Sequence, residues 1–444
     1  VRPSPATDHP VARRSFLKAA GAATVLPAVG SERMASGAGP GGQMASKGGK
    51  TNTTTSLYES TPGKFSVGGQ HVVGVGGYPT IQAAWDDAAD GDTVYVHSSY
   101  DAQAAGEEFP ITLDFRQKEV LLMGGHPSGS VIDASHTTEN VIEVIGKGHE
   151  DYRNNPLVQN LKVVGGGVGL RIQAAPYASF KDLVFWMTGS HGVMVDGFQA
   201  NGTDYGTFGV TFRNCMAWNC GGDGFRLNTG AQPHSTSFYG CHALLNRQVG
   251  LRLRGYASRW HGGTIQNNGD FGIDARSGGS QVVQGTYFEG NGTYSSAPIE
   301  VYVDDSAKGF TIRDSYFQGG FFRNFPNGRS IGRWGVVVAG APNVDVSHCS
   351  FRNYSDSFLS VRDATDVDVH LASHCALDET TLVDHSGCTR LRSDGTALPA
   401  DLRSAGPGHF VGDRAIHDGS GALPWGPAVW NGSAWVSLLS GTAL

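Results

Sequence analysis

The chain has 444 residues, 39% hydrophobic and 16% charged, enough to bury a large core. Its 64 glycines against six methionines point to turn-rich β structure and away from helix bundles. A formal net charge of -7 is modest at this length, so charge implies neither nucleic-acid binding nor an extreme acidic surface.

Near the N-terminus, Ala12 to Val29 places Arg13-Arg14 and Phe16-Leu17-Lys18 before a weakly apolar run of small residues. This segment resembles a twin-arginine export signal, departing only in Ala12, where a polar residue is usual. The resemblance implies a signal over residues 1–36, export after folding and an extracellular location. The apolar run is too short to span a membrane. Ser31 to Ser56, rich in Gly, Ala, Ser and Thr without periodicity, reads as a flexible linker, placed at 37–64. Asn-x-Ser/Thr sites stand at Asn52, Asn201, Asn291, Asn353 and Asn431.

From Tyr78 the pattern changes. Thr80 is suited to cap a helix whose Ile81, Ala84 and Trp85 share one face, and Gly91 stops it before a strand at Thr93 to Val96. Here the chain resembles the entry into secreted right-handed parallel β-helix proteins of the pectate-lyase-like superfamily, where a short amphipathic helix covers the open end. A solenoid needs such a cover, because its first coil would otherwise expose core and an unpaired strand edge. Short strands follow at Ile111 to Phe115, Glu119 to Met123, Val131 to Asp133 and Asn140 to Ile145.

Over the middle of the chain a unit of roughly 25 residues repeats, the mark of a solenoid whose units bury their apolar side by stacking. One copy, Phe212 to Asn228, reads as strand, polar corner and strand, with Gly224 opening an alternating run; Phe238 to Arg254 has the same grammar. Aligned on the first corner, the copies give Asn160, Asp182, Asn214, Gly240, Gly263, Gly285, Asp314, His348 and His374, largely residues that tolerate a left-handed backbone. Two positions earlier stand Val158, Phe180, Phe212, Phe238, His261, Val283, Ile312, Val346 and Ala372. Three positions later stand Val163, Phe185, Ala217, Ala243, Gln266, Phe288, Phe317, Phe351 and Leu377. Large apolar residues dominate both columns, as stacking inside one core requires. The predicted fold is a single right-handed parallel β-helix over 65–388 with a short N-terminal capping helix. Cys215 with Cys241, and Cys349 with Cys375, share a column in adjacent coils, and read as stacked buried thiols; Cys220 and Cys388 lie apart. Residues 389–444 read as a C-terminal cap, with a strand pair around Asn431-Gly432. Its WNGSAWV segment resembles one common near the ends of phage tail-fibre and tail-spike chains.

The strand after the second corner alternates in and out of the core, so its outward positions form a ladder over successive coils. They include Arg171, Asp196, Arg226, Arg252, Arg254, Asp274, Arg276, Glu300, Tyr302 and Asp304: five arginines and four carboxylates on one sheet. The longest insertions flank it, and Gly319 to Arg333 brings Phe321 and Phe322 beside arginines, the ring faces and fixed donors that a sugar-binding wall uses. Solvent-facing strand positions are polar without any function, and opposite charges across strands stabilise, so both readings stand for every member of the row.

The superfamily resemblance implies an enzyme or binder acting on polysaccharides, often acidic ones. Arginines suit a uronate polymer, since guanidinium and carboxylate pair through two parallel hydrogen bonds. Lysis needs the substrate carboxylate neutralised, for which Arg252 or Arg254 is placed; hydrolysis needs two carboxyl groups, for which Asp274 and Glu300 are the candidates. Arg171, Asp196, Arg226, Arg276, Tyr302, Phe321 and Phe322 are the candidate substrate-binding residues. The motifs of polygalacturonase-like hydrolases are not reproduced: Asn228-Thr229-Gly230, Ser190-His191-Gly192 and Arg171-Ile172-Gln173 lack the aspartates and stand in a different order. No metal site is predicted and no cofactor is firmly implied; Asp223 and the Asp304-Asp305 pair offer the oxygen ligands that calcium takes, as ordinary surface turns also do. The expected function is an exported enzyme cleaving an acidic polysaccharide, by lysis or hydrolysis. The alternative is a non-catalytic, tail-spike-like glycan binder. The expected partner is a polysaccharide, with no nucleic acid and no membrane span.

Overall fold

The structure, a computed structural model, describes residues 69–146 except 75, then 148, 156–200, 203–228, 233–295, 298–320 and 332–362, together with short strands between 367 and 437. One coil shows the architecture. Thr211–Arg213, Met216–Trp218 and Phe225–Leu227 are its three strands. Each pairs in parallel with its counterpart in the next coil, through Phe212↔Phe238, Ala217↔Ala243 and Phe225↔Leu251. Repetition gives three parallel sheets of 13, 9 and 11 strands, here called sheets one, two and three in chain order within a coil. The chain is therefore a parallel β-solenoid.

Two-residue alternation decides which side chains enter the core. Sheet one contributes Phe180, Phe212 and Phe238, which stack face to face with centroids 5.2 and 4.9 Å apart, and Trp260, tilted against Phe238 at 5.2 Å. Phe288, Phe317 and Phe351 of sheet two stack in the same way at 4.6 and 4.5 Å. Such pairs contribute about 0.5–1.5 kcal/mol each beyond the area they bury. The eight predicted corner residues that fall within the described chain all have positive φ, from 52° at Asp182, Asn214 and His348 to 75° at Gly263.

In one coil the sequence alignment is off by a residue. Gly262, not Gly263, occupies the corner column, because Tyr239 pairs with His261 and His242 with Thr264. The core positions of that coil are consequently Trp260 and Ile265, both fully buried, rather than His261 and Gln266. A slip of one residue reverses every side chain on a strand. The indole is the larger apolar group, and it decides the register. His261 faces outward, flat against Tyr239 with centroids 5.2 Å apart.

The helix is Ile81–Asp87, with Thr80 accepting the Ala83 N–H at 3.1 Å and Ile81, Ala84 and Trp85 buried. It packs on Gln70–Val73, Thr93–Val96 and Ile111–Asp114, at the first coils. Its chain reversal begins at Ala88; Gly91, at φ 87°, turns the chain into the strand. Cys215, Cys220 and Cys241 are free, buried thiols, and Cys349 is buried as well; Cys375 and Cys388 lie outside the described residues. Near the other end, Gly426–Trp430 pairs antiparallel with Arg414–His417 and Trp435–Ser437. Among the described residues no helix is long and apolar enough to cross a membrane.

Candidate functional site

Sheet three carries the predicted row. Leu251 and Leu253 point into the core, so Arg252 and Arg254 point out, and the same parity puts Arg171, Arg226, Asp274, Tyr302 and Asp304 on the outer face. Pairing joins Arg171, Met194, Arg226, Arg252, Asp274 and Tyr302 in one column.

Two aspartates organise this face. Asp223, just before the strand, accepts Arg252 Nε at 2.7 Å and Nη2 at 3.1 Å, and the Val249 N–H at 3.1 Å. Asp274 accepts Arg252 Nη1 at 2.8 Å and Arg254 Nη2 at 3.2 Å. Both carboxylates are 0% exposed, and Arg252 bridges them from neighbouring coils. Arg276 Nε lies 2.8 Å from the other Asp274 oxygen, close enough to attract but not aligned as a hydrogen bond. A carboxylate removed from water needs such partners, and here they are guanidinium groups with more donors than the pairing uses.

The guanidinium ends that remain open belong to Arg226 and Arg276, whose side chains are 34% and 44% exposed. Arg226 is held by Asn228 Oδ1 at 2.7 Å and lies 3.7 Å from Asp223. Arg276 lies over Tyr302 at 5.0 Å, and Tyr302 stacks on Phe271 at 5.4 Å. Arg171 pairs with Asp196 at 3.0 Å and Glu143 at 3.5 Å, and Asp196 also accepts from Asn228 Nδ2 at 3.3 Å. The structure thus brings Arg171, Asp196, Arg226, Arg252, Arg254, Asp274, Arg276 and Tyr302 onto one continuous surface. Phe321 and Phe322 lie outside the described residues.

Glu300 is not part of that surface, and Asp274 is not open on it. The rung opposite Asp274 is Tyr302, and Glu300 stands two residues earlier, buried to 1% exposure. Its carboxyl accepts the Asn291 N–H at 3.3 Å and the Asn291 side-chain amide. Asn291 in turn is the last rung of a buried ladder: Asn268 N–H donates to Asn291 Oδ1 at 3.0 Å, Asn246 N–H to Asn268 Oδ1 at 3.1 Å, and Cys220 N–H to Asn246 Oδ1 at 3.1 Å. Glu300 closes this ladder. Asn291, 1% exposed, is also withdrawn from any role as a glycosylation acceptor. The ladder explains the glycines of sheet three at Gly224, Gly250 and Gly272. A Cβ on Gly224 would meet Asn246 Nδ2 at 2.7 Å, and one on Gly250 would meet Asn268 Nδ2 at the same distance.

Burial raises the Glu300 carboxyl to about 8, with the Asn291 bonds opposing the shift. The unfolded chain releases this proton near an ordinary Glu value while the folded chain keeps it. Stability therefore falls as pH rises from the ordinary glutamate range to about 8, and the contribution is fully present only below that ordinary range. Glu300→Gln is expected to flatten that slope and to leave the protein more stable than wild type at the alkaline end, as read by urea midpoints across pH.

Two titratable groups were not foreseen. His191 precedes its strand in the position that Asp223 occupies one coil later. Its Nδ1 accepts the Asp223 N–H at 2.9 Å, while Nε2 lies 3.2 Å from Arg226 Nη1. With Nδ1 accepting, the neutral ring carries its proton on Nε2; burial pushes its pKa down, Asp223 opposes this, and Arg226 and Arg252 reinforce it. Asp270 lies beside the same network, two residues before Gly272. Burial raises its carboxyl, with Asp223 and Asp274 adding to the rise and Arg252 opposing it. Asp223, enclosed by guanidinium groups, is not placed to hold calcium. Asp304 and Asp305 accept from Ser306 N–H and Oγ, at 3.0 and 3.3 Å, as turn residues do.

No protein-family model matches the chain, and no curated protein does. Solved structures do. The catalytic unit of a thermostable GH87 alpha-1,3-glucanase from Streptomyces thermodiastaticus strain HF3-3 aligns over 70% of this chain and 66% of its own, with 14% identity and a TM-score of 0.43. The enzymatically active domain of tailspike protein 2 from bacteriophage CBA120 aligns over 71% and 44%, with 10% identity and a TM-score of 0.41. An alginate lyase from Paenibacillus sp. str. FPU-7 aligns over 72% and 98%, with 14% identity and a TM-score of 0.42. The chain spans less than two thirds of the first two of these. At such identities the likeness is one of fold.

Proposed function

We propose that the chain is an exported, carbohydrate-active enzyme that binds an acidic polysaccharide across sheet three and cleaves it there. The observation that carries this reading is that Arg226 and Arg276 hold open guanidinium ends, fixed in place by Asn228 and by the buried carboxylates of Asp223 and Asp274. Such preorganised donors pair with a uronate carboxylate without reordering. Tyr302, lying between Phe271 and Arg276, supplies apolar surface beside them.

Lysis is the better supported chemistry. It requires the substrate carboxylate to be neutralised, which Arg226 does, a base that takes the proton beside that carboxylate, and return of a proton to the departing glycosidic oxygen as the C–O bond breaks. Asp270 serves both steps, its carboxylate taking the proton and the acid so formed giving it to the leaving oxygen, and burial raises its proton affinity for that exchange. Hydrolysis by Asp274 and Glu300 is disfavoured because both carboxyl groups are enclosed by protein. The same enclosure supports a second reading, glycan binding without cleavage.

The test is incubation of the purified chain with neutral and acidic polysaccharides, with and without calcium, following both new reducing ends and the ultraviolet absorbance of an unsaturated product. Both signals together are expected with an acidic polymer. Asp270→Asn is then expected to lower kcat by about a hundredfold with little change in KM. Arg226→Ala is expected to raise KM and lower kcat/KM by a similar factor. Reducing ends without absorbance would overturn lysis, and binding with neither signal would leave the second reading.

A further inference from the structure

Sheet one has an outer face remote in register from the arginine row of sheet three, and it carries its own cations. One outer column runs Lys181, Arg213, Tyr239, His261, Gln284, Arg313. Arg259 stands in the neighbouring column, on the His261 strand. Lys181 is matched by Asp182 at 3.5 Å. Among the described residues, Arg213, Arg259 and Arg313 have no carboxylate within ion-pair distance; Arg313 reaches only Gln284 Oε1, at 3.1 Å, and Asp314 is turned to Gln284 Nε2 at 2.9 Å. Unmatched arginines on one flat face stand out in a chain of net charge -7.

We propose that this face is a second, non-catalytic surface for an extended acidic polysaccharide, held by Arg213, Arg259 and Arg313. The three arginines belong to Thr211–Arg213, Arg259–His261 and Ala307–Arg313, which occupy alternate positions in the order of sheet one. With about 4.8 Å between neighbouring strands, Arg213 and Arg313 stand about 20 Å apart in one column, and Arg259 lies between them, offset by two residues, about 7 Å, into the neighbouring column. A sparse, staggered row of guanidinium groups along one face fits an extended polymer with widely spaced carboxylates or sulfates, each taken by a forked pair of hydrogen bonds.

Nucleic acid fits less well. Duplex DNA presents a negative charge about every 1.7 Å on a curved surface. Single strands are held by bases stacked on free aromatic faces. Here both faces of Tyr239 are taken, by Arg213 at 4.9 Å and by His261 at 5.2 Å. The Tyr239–His261 pair serves as a rigid support for Arg213. Burial, then Arg259 and Arg313, lower the His261 pKa, so it adds no charge at neutral pH.

The choice of polymer rests on the function proposed above, but the two are separable. Affinity electrophoresis through gels containing polygalacturonate, dextran or no polymer is run on the wild-type chain, on Arg226→Ala and on the triple variant Arg213→Ala/Arg259→Ala/Arg313→Ala. Arg226→Ala is expected to keep retention by polygalacturonate, the triple variant to lose it by roughly tenfold, and dextran to retain neither. Retention should weaken with added salt. The substituted side chains are exposed, and a triple Arg→Gln variant guards against loss of packing on Tyr239. Unchanged retention in both triple variants overturns the proposal while leaving the sheet-three reading intact. Retention lost in Arg226→Ala alone does the same, and no retention of any variant removes both. A single-stranded oligothymidylate competing better than polygalacturonate also overturns it.

Discussion

Arg252→Ala is expected to lower folding stability by about 3 kcal/mol, read as a fall in the urea midpoint at unchanged slope. Arg252 is the one side chain that bonds both buried carboxylates, Asp223 through Nε and Nη2 and Asp274 through Nη1. Its removal leaves Asp223 with the Val249 N–H and with Arg226 at 3.7 Å, while Asp274 keeps Arg254. The cost therefore falls at the lower end of the range for breaking a buried pair. Arg252→Lys should recover little, because one ammonium cannot reproduce a fork that reaches two carboxylates. Adding Asp223→Asn to Arg252→Ala should restore part of the loss by removing the stranded charge. If the double variant is as unstable as the sum of the single ones, the two residues are not coupled and this account of the surface is wrong. Binding of acidic polysaccharide should weaken with the same variants, since Asp223 and Asp274 also place Arg226 and Arg276.

The second large effect is expected at Asn268. Its Oδ1 accepts both the N–H and the Nδ2 of Asn246, at 3.1 and 2.9 Å, and its Nδ2 donates to Ala243 O at 3.0 Å and Asn291 Oδ1 at 2.7 Å. Asn268→Ala strips the partner from a buried Asn246 N–H, which costs about 1–3 kcal/mol for the unsatisfied group, and leaves a cavity besides. A total of about 3–4 kcal/mol follows. Asn268→Asp keeps the acceptor but loses the donor and adds a buried charge, so it should not rescue. Amide hydrogen exchange supplies the local readout: protection at Asn246 and Asn268 should fall before that of the Phe212–Phe238 core. Uniform loss of protection along the solenoid would mean that the ladder does not act locally.

Much of the fold was legible because a solenoid writes its geometry into the sequence at every coil. Corners need left-handed backbone, and Asn214, Gly240 and Asp314 supply it at φ 52°, 60° and 53°. Core columns need apolar residues two before and three after, as Phe212 and Ala217 show. The reading failed where a coil offered two adjacent glycines, Gly262 and Gly263, so that composition left the register open and only the burial of Trp260 settled it. At the candidate site the outward parity of Arg226, Arg252, Asp274 and Arg276 was readable from alternation. Their chemistry was not, since alternation says which face a side chain leaves from and nothing about what it meets there.

By itself the sequence determined a parallel β-solenoid, its capping helix and the sheet on which arginines and carboxylates gather, because periodicity and turn chemistry are local properties. Only the tertiary structure decided which of those charges remain available. Asp274 and Glu300 look alike in a strand pattern, yet one is enclosed by three arginines and the other ends an asparagine ladder. His191 and Asp270 gain their altered proton affinities from neighbours contributed by other coils. Desolvation and the pairing of Arg252 with Asp223 and Asp274 depend on contacts between coils, 29 and 22 positions apart, and those contacts exist only once the coils have stacked.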